Sequence, residues 1–294
     1  NAIAGFTVLM PNPDIRGKDY DEYFAMRMEY QPTVLASAAS TQVTGINPHV
    51  GTAQIGEDPL PWLYQYPGIL PTESTLKEKA SGIGVVTATP EIDGVTRRIP
   101  LVVNVGSKLY PSFALELLRV AVQDPSYQLK TTEEGVTWVR IPNYPLMNTD
   151  ANGRIFLNWN TKFYKQTASH FINDPIEAPF VIFGTTAEGV TNPVPTPAGA
   201  KYPHEIQANI LHNLVQGTAP STPTWAGGLK YAIALFAFLA LAFASRSVWF
   251  SIPVLALVVV GSSYGTWYAY QSSYLIDASG IVILSILFWA YHSF

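Results

Sequence analysis

Five histidines are the residues of this 294-residue chain best suited to metal binding or acid–base chemistry. They are His49, His170, His204, His212 and His292. Their spacing matches no zinc site and no activated nucleophile. His204-Glu205 begins like a zinc-protease motif, but that motif needs a second histidine at position 208, where the chain has Ala208. His204 and His212 fall two helical turns apart near one face, and we predict surface or capping roles for them rather than a metal site.

A second candidate for chemistry is the loop Gly184-Thr-Thr-Ala-Glu-Gly189, which follows a predicted strand. Its glycines are arranged like those of a phosphate-binding loop, but Val190 stands where that motif requires lysine. We therefore interpret the segment as a loop at the end of a strand. Because open α/β sheets bind ligands at such loops, it remains a candidate binding site.

Two adjacent arginines, Arg97 and Arg98, follow the turn signal Asp93-Gly94 and precede a predicted strand. Together they could bind an anion. Strand alternation instead favours one arginine pointing outward and the other inward, where it would pair with a carboxylate. No nucleophile elbow, paired-carboxylate motif, kinase motif or cyclase motif occurs in the sequence. We predict no catalytic residues, no metal site and no cofactor in these residues. No motif identifies ligand-binding residues.

Composition separates the chain into two parts. The absence of cysteine excludes disulfides, cysteine zinc sites, iron–sulfur clusters and thiol nucleophiles. Only 13% of the residues are charged, which is about half the proportion in soluble domains. The deficit lies at one end, since the charged residues from Trp225 to Phe294 are Lys230, Arg246 and Asp277. The preceding part is mildly acidic with scattered basic residues, which argues against nucleic acid binding.

Three apolar segments in the charge-poor part predict membrane-spanning helices, at residues 225–244, 248–270 and 277–294. The link between the first two is only Ser245-Arg246-Ser247, which requires an antiparallel hairpin. Trp and Tyr residues near the ends of the segments fit the preference of these side chains for the headgroup level. The third segment is near the lower length limit for a crossing, and we expect the native chain to continue beyond it.

The alternation of short strand-like and helical segments in residues 1–217 predicts an α+β domain, built as a mixed α/β sheet with a few helices. Residues 218–224 are predicted to form a short tether. The predicted strands are residues 6–10, 34–37, 84–88, 101–105, 136–141, 154–159 and 180–183. The first strand is apolar and close to the start of the chain. We therefore expect neighbouring strands on both sides of it, and part of the fold upstream of Asn1.

Three helices are predicted within this domain. Residues 19–30 have a suitable length for the first, and Ser112 can cap the second, which Asp124-Pro125 would stop. The clearest helix runs from Pro203 to Gln216, with proline in its first turn and Gly217 at its end. Its predicted core residues, which recur every fourth position, are Ile206, Ile210 and Leu214.

Taken in order, segments along nearly the whole chain resemble the CHASE2 domain, an extracytoplasmic sensor module of bacterial membrane receptors. The segments are Gly5 to Met10, Asp19, Tyr23-Phe24-Ala25, Gly82 to Val86, Pro90 to Leu101, Tyr110 to Ala114, Phe180 to Thr186, Pro197 and Pro203 to Ile206. The three closing membrane segments belong to the same pattern. Two features depart from it: the family's first membrane helix, with the first strand and helix of its domain, would precede Asn1, and Pro203 replaces the usual glycine before the helical histidine.

The resemblance implies a sensor protein of the bacterial inner membrane, multi-pass, with the large domain in the periplasm and Arg246 on the cytoplasmic side. Its cytoplasmic output domain would lie outside this sequence and would be above all a class III adenylate cyclase, with guanylate cyclases and protein kinases as other outputs. The chain itself is therefore not expected to be the enzyme.

The expected partners are the lipid bilayer, a second copy in a homodimer, and an unknown extracytoplasmic ligand or protein. The homodimer is expected because class III cyclases and histidine kinases assemble active sites from two chains. Gly261-Ser-Ser-Tyr-Gly265 fits a helix-contact pattern that would serve such a dimer, or would let the helices of one subunit pack. No nucleic acid partner is expected.

Two other functions stay open at this point. A structural or accessory subunit of a membrane complex would use a CHASE2-like domain for contacts, without signalling. An extracytoplasmic hydrolase is disfavoured because no set of nucleophile and base is visible in the sequence.

Overall fold

The computed structural model describes residues 2–42, 50–159 and 161–293, and the chain divides into two compact units, Asn1–Ala219 and Pro220–Phe294. The strands are β1 Ile3–Leu9, β2 Thr33–Ser37, β3 Ala39–Ser40, β4 Gly51–Gly56, β5 Gln65–Tyr66, β6 Gly68–Ile69, β7 Gly82–Val85, β8 Arg98–Pro100, β9 Val102–Val105, β10 Lys108–Pro111, β11 Ser126–Thr132, β12 Gly135–Arg140, β13 Met147–Asn148, β14 Arg154–Phe156, β15 Phe180–Phe183, β16 Val194–Thr196 and β17 Gly199–Lys201. The helices are α1 Lys18–Met28, α2 Ser74–Lys79, α3 Phe113–Val122, α4 Ala168–Asn173, α5 Pro203–Gln216, α6 Ala226–Ala244, α7 Val248–Gln271 and α8 Ser279–Ser293.

A four-stranded parallel sheet, in the order β15-β1-β2-β7, forms the centre of the first unit. β1 lies between two neighbours, with Ile3 opposite Phe180 and Gly5 opposite Val34. Parallel neighbours need long crossover connections, and helices occur in the chain between these strands. The predicted mixed α/β sheet and the two expected neighbours of the first strand are confirmed.

Helices cover both faces of this sheet. On one face, Met28 of α1 and Leu76 of α2 pack with Leu35 of β2. On the other face, α3 and α5 pack against each other and against the strands, with Phe113 and Ile210 fully buried. Because successive residues of a strand point to opposite faces, a sheet buried on both sides needs continuously apolar strands. Four of the seven predicted strands, at residues 6–10, 34–37, 84–88 and 180–183, correspond to the strands of this sheet.

The remaining strands form smaller sheets beside the central one, in the orders β13-β12-β11-β4, β10-β9-β5, β14-β8, β16-β17 and β3-β6. Sequence patterns predicted β9 and β12 but missed β4, whose residues are almost all exposed and carry no apolar alternation. The predicted strand at residues 154–159 was too long, since pairing with β8 ends at Phe156. The length of the partner strand determines where such a strand ends, and the periodicity of the sequence carries no information about it.

Capping residues that can be recognised in the sequence determine where α3 and α5 begin or end. The hydroxyl of Ser112 accepts a hydrogen bond from Leu115 N–H at 3.4 Å, as predicted for the start of α3. α5 runs from Pro203 to Gln216, the predicted bounds, and ends at Gly217 with a left-handed φ of 64°. At its start the Glu205 carboxylate accepts a hydrogen bond from Tyr202 N–H at 2.7 Å. A capping side chain bonds to a backbone group within one helical turn, so such caps can be predicted from the sequence alone.

The second unit contains three helices, α6, α7 and α8. Two of them, Ala226–Ala244 and Trp249–Gln271, are long and apolar enough to cross a membrane. The third predicted span, residues 277–294, corresponds to the shorter apolar helix α8. Trp289 of α8 donates its indole N–H to the Ser251 hydroxyl of α7 at 2.9 Å, which joins these two helices through a polar contact.

The first prediction concerns the buried face of α5. Replacing Ile210, which has no exposed surface, with alanine should lower the free energy of unfolding of the first unit by about 2–5 kcal/mol, because a cavity remains in the core. Hydrogen exchange of α3 and the central strands measures this change. Gln216→Ala, at the exposed end of the same helix, should change it by less than about 0.5 kcal/mol. A loss below about 1 kcal/mol for Ile210→Ala would contradict the packing described for α5.

Candidate functional site

A cavity of about 480 Å³ lies along β15, the strand at one edge of the central sheet. Three segments line it: β15 with the residues around it, α5, and the stretch from Phe163 to Phe171 that includes the start of α4. These segments are distant from one another in the sequence and meet only in the fold. Its size is within the range of about 300–1,000 Å³ that is typical of ligand pockets.

Most of the cavity wall is apolar and aromatic. Phe171 meets Phe183 edge to face, with ring centroids 5.6 Å apart, and Phe163 meets the His212 imidazole in a similar arrangement at 6.2 Å. Leu211 and Val215 of α5 complete the apolar part. Such a lining favours an apolar ligand surface over a strongly hydrated one.

α5 is held in place by polar contacts on the face opposite the cavity. The Gln207 amide oxygen accepts a hydrogen bond from Ala114 N–H of α3 at 3.2 Å. Asn213 accepts a hydrogen bond from Asn158 N–H at 3.0 Å and donates its amide N–H to Asn158 O at 3.3 Å. Gln207 and Asn213 are buried, so these bonds are costly to break. The cavity face of α5 is therefore presented by a firmly anchored helix.

Two charged side chains at one end of the cavity, Lys165 and Glu205, form an ion pair with each other. Lys165 donates to the Glu205 carboxylate, which also accepts the Tyr202 N–H bond at the start of α5. Burial by itself would raise the pKa of Glu205, but these hydrogen bonds outweigh it and lower the pKa below its ordinary value. The carboxylate is thus ionised and already paired at neutral pH.

His204 occupies the same end of the cavity. Its Nδ1 atom is covered by Gly184 and has no hydrogen-bond partner among the described residues, and its ring stacks on Tyr202 with centroids 5.9 Å apart. Burial lowers the pKa of His204, with a smaller opposing effect of Glu205. The imidazole is therefore neutral at pH 7.

The loop singled out in the sequence contributes to this cavity only through its first residue. Gly184 lies in the wall at the carboxyl end of β15, where a Cβ atom would come within 2.4 Å of His204 Nδ1. From Thr185 to Gly189 no residue lines the cavity. The close approach of backbone and imidazole explains why glycine stands at position 184.

The described histidines fall on different parts of the fold. His204 and His212 line the cavity together, His170 lies exposed on α4, and His292 belongs to the second unit. His49 lies outside the described residues. Within the part of the chain that is described, no group of three residues is arranged to hold a metal ion.

The two adjacent arginines have structural roles, as strand alternation predicted. Arg97 points outward and pairs with Asp93 at 2.7 Å. Arg98 is partly buried and pairs with Glu91 at 2.6 Å and with Asp150 at 3.1 Å. Hydrogen bonding by Arg98 lowers the pKa of Glu91. Both guanidinium groups are thus occupied by carboxylates of the same unit.

Much of the cavity wall could not be predicted from sequence patterns. Phe163, Lys165, Gln166 and Phe171 lie in a stretch without periodicity or a recognisable motif, between β14 and β15. The edge position of β15 depends on the order of strands in the sheet, which no local pattern reports.

Comparison with known protein families gives one match. The family model described as the CHASE2 domain matches residues 2–244, which covers the first unit and extends to the last residue of α6. No curated protein and no solved structure matches the chain.

Proposed function

The chain belongs to the CHASE2 domain family, and we propose that it is the sensing and membrane-spanning part of a bacterial receptor that passes an extracytoplasmic stimulus to a cytoplasmic output domain. The family assignment makes the domain an extracytoplasmic sensor module of signalling receptors. The proposal adds the direction of signalling, the ligand-binding cavity and the output, for which a class III adenylate cyclase is our choice.

The connection between the cavity and the membrane helices carries this proposal. α5 lines the cavity with one face and is anchored to α3 by the other. α5 ends at Gln216, and α6, the first apolar helix, begins at Ala226. The segment between them contains Pro220 and Pro223, which limit its flexibility. If a ligand displaced α5, the movement would therefore be transmitted to α6 through a short, stiff segment of the chain.

The same segment also contacts the loop between α7 and α8 within the second unit. Ser221 N–H donates to Ser273 O at 3.0 Å, and Leu275 N–H donates to Ser221 O at 2.9 Å. Trp225 meets the Tyr274 ring edge to face at 5.7 Å. Movement of this segment would thus act on α6 and on the α7–α8 loop together, so that the three helices respond as one body.

We further propose that all three helices of the second unit cross the inner membrane. α8 supports this with exposed apolar side chains on its surface, which suit a lipid environment. Its exposed large apolar residues are Ile283, Leu284, Ile286 and Leu287. The first unit would then lie outside the cytoplasm, and an output domain after Phe294 inside it.

The proposed topology predicts which loops are accessible from outside the cell. With single cysteines at Ser245 and Ser273, a membrane-impermeant thiol reagent should label position 273 in intact cells and should label position 245 only after the membrane is opened. Residues 1–294 contain no cysteine, so they add no labelling background of their own. Labelling of position 245 in intact cells, with 273 unlabelled, would contradict the topology.

The sensing function predicts that filling the cavity changes the output. Residues 1–294 would be joined to a class III cyclase catalytic domain, and cyclic AMP would be measured in cells at equal expression. Ala208→Trp, which places a large ring in the cavity wall, should change cyclic AMP by about fivefold or more, the usual scale of coupling between two sites.

Gln216→Trp is the matched control, because it adds the same ring to an exposed position of α5 outside the cavity. It should leave the output unchanged. Equal output from both variants would contradict the sensing function and favour an accessory role in a membrane complex.

The receptor is proposed to act as a homodimer in which α7 makes close contact with its copy. Gly261 and Gly265 lie exposed on α7, and a Cβ atom at either would meet nothing within 4 Å among the described residues. This open space supports a contact between subunits over packing of the helices inside one subunit. A stripe with two small residues permits close helix approach between subunits.

This dimer predicts a specific effect of bulk at Gly261. Gly261→Ile should reduce the yield of crosslinked dimer in membranes, because the side chain keeps the two helices apart. Ala256→Ile, at an exposed position on another side of α7, should leave the yield unchanged. A parent chain that is exclusively monomeric would contradict the dimer, and an undiminished yield in Gly261→Ile would contradict the role of the glycines.

A further inference from the structure

One edge of the His204 imidazole packs against the backbone at the carboxyl end of β15. Its Nδ1 atom is buried, and a Cβ atom at Gly184 would come within 2.4 Å of it. Nδ1 has no hydrogen-bond partner among the described residues. Since a buried donor without an acceptor is unfavourable, we assign the proton of the neutral ring to Nε2. The contact between His204 and Gly184 thus requires an unprotonated Nδ1.

Protonation would place both an N–H donor and a positive charge in this contact. The new donor would lose its hydrogen bond to water and find no acceptor in exchange. His204 is also the second residue of α5, where the positive end of the helix dipole disfavours a cation. Two separate causes therefore make the contact incompatible with a charged imidazole.

The charged groups near His204 come from both sides of the cavity. Burial has the largest effect and lowers the pKa of His204, while Glu205 of α5 opposes it and Lys165, from the segment before α4, adds to it. β15 contributes no titratable side chain, since it consists of Phe-Val-Ile-Phe. The other titratable residues of the cavity wall and of the chain directly before α5 are Tyr164, Lys201, Tyr202 and His212.

The rest of α5 is held in place from its second turn onward. The buried Gln207 amide accepts a hydrogen bond from Ala114 N–H of α3, and Ile210 lies in the core. A movement away from Gly184 is therefore confined to the imidazole and the first turn of α5. This turn lies at one end of the cavity.

We propose that the contact between His204 and Gly184 is a pH-sensitive switch, in which a proton on Nδ1 separates the first turn of α5 from the carboxyl end of β15. The contact is closed at neutral pH and opens in an acidic medium. The role of this opening in regulating access to the cavity rests on the proposed sensing function, whereas the switch itself does not.

Proton linkage gives the direction of the pH dependence. In the open state the imidazole has the ordinary histidine pKa of about 6.5, and in the closed state its pKa is lower. The ratio of open to closed molecules should therefore rise by up to about tenfold for each pH unit below about 6.5, and level off below the closed-state pKa. Above that range the ratio should stay constant.

Hydrogen exchange of the full chain in lipid nanodiscs measures this ratio between about pH 8 and about pH 5, after correction for the pH dependence of the chemical exchange rate. The amides of Glu205 and Ile206 report the opening, because both donate to Tyr202 O in the first turn of α5. The amides of β11 and β12, which belong to another sheet, report unfolding of the whole unit. Only the first pair should respond to pH in this way.

Variants assign the response to His204. His204→Phe keeps a ring beside Gly184 but cannot be protonated, so the pH dependence should disappear. His170→Asn, at an exposed histidine of α4, is the matched control and should leave it unchanged. Gly184→Ala should open the contact already at neutral pH, because its Cβ atom takes the space of Nδ1.

NMR of histidine-labelled protein gives the titration of His204 itself, identified by the signal that is missing in His204→Phe. Its pKa should lie below the ordinary value in the parent chain. Glu205→Gln keeps an acceptor for Tyr202 N–H but removes the negative charge, so it should lower the pKa of His204 further. This measurement decides the inference if His204→Phe does not fold.

Three results would overturn the switch. They are a His204 titration at or above the ordinary pKa, a pH dependence of the α5 amides that persists in His204→Phe, and an equal response of β11 and β12. Hydrogen exchange and NMR of the purified chain thus decide this inference. Cyclic AMP output of the chimera at neutral and acidic pH decides the regulatory role, so a switch that opens without changing the output would contradict that role alone.

Discussion

The close contact between α3 and the central parallel sheet is the constraint on which the first unit depends. A Cβ atom at Gly84 would lie 2.4 Å from the Phe113 Cα, and one at Gly82 would lie 2.3 Å from a Glu116 carboxylate oxygen. At Gly84 the strand therefore meets the backbone of α3, and at Gly82 it meets the Glu116 side chain. This approach buries Glu116 completely, and Arg119 neutralises it at 2.8 Å. Burial raises the pKa of Glu116, and Arg119 opposes that effect.

The position of α5 follows from that contact. α5 packs beside α3 and is fixed to it by the buried Gln207 amide. One face of α5 packs against α3 and the core. The opposite face lies near β15 and forms part of the cavity wall. Among the described residues β15 pairs with one strand only, and α5 lies over its other side, which leaves the space of the cavity. Binding there would act on a helix that is followed in the chain, after a short segment, by the apolar helix α6.

The second unit obeys a different constraint. Most of its large apolar side chains are exposed on the helix surfaces, which in water would be unfavourable and in a bilayer is expected. Trp289 and Ser251 form a polar side-chain contact between two of its helices, where lipid cannot replace it. The segment around Ser221 is hydrogen-bonded to Ser273 and Leu275 in the loop between α7 and α8, which joins the start of α6 to that loop.

The sequence by itself determined the features that depend on neighbours within a few residues. Caps at Ser112, Pro203 and Gly217 defined their helices, and alternation separated Arg97 from Arg98. Apolar runs marked the candidate membrane helices and the central strands, because burial on all sides removes periodicity. The tertiary structure alone decided that β15 lies at an edge, and that residues 163–171, 180–184 and 204–215 share one cavity. Strand order and cavity shape arise from packing between segments far apart in the chain, and no local pattern encodes them.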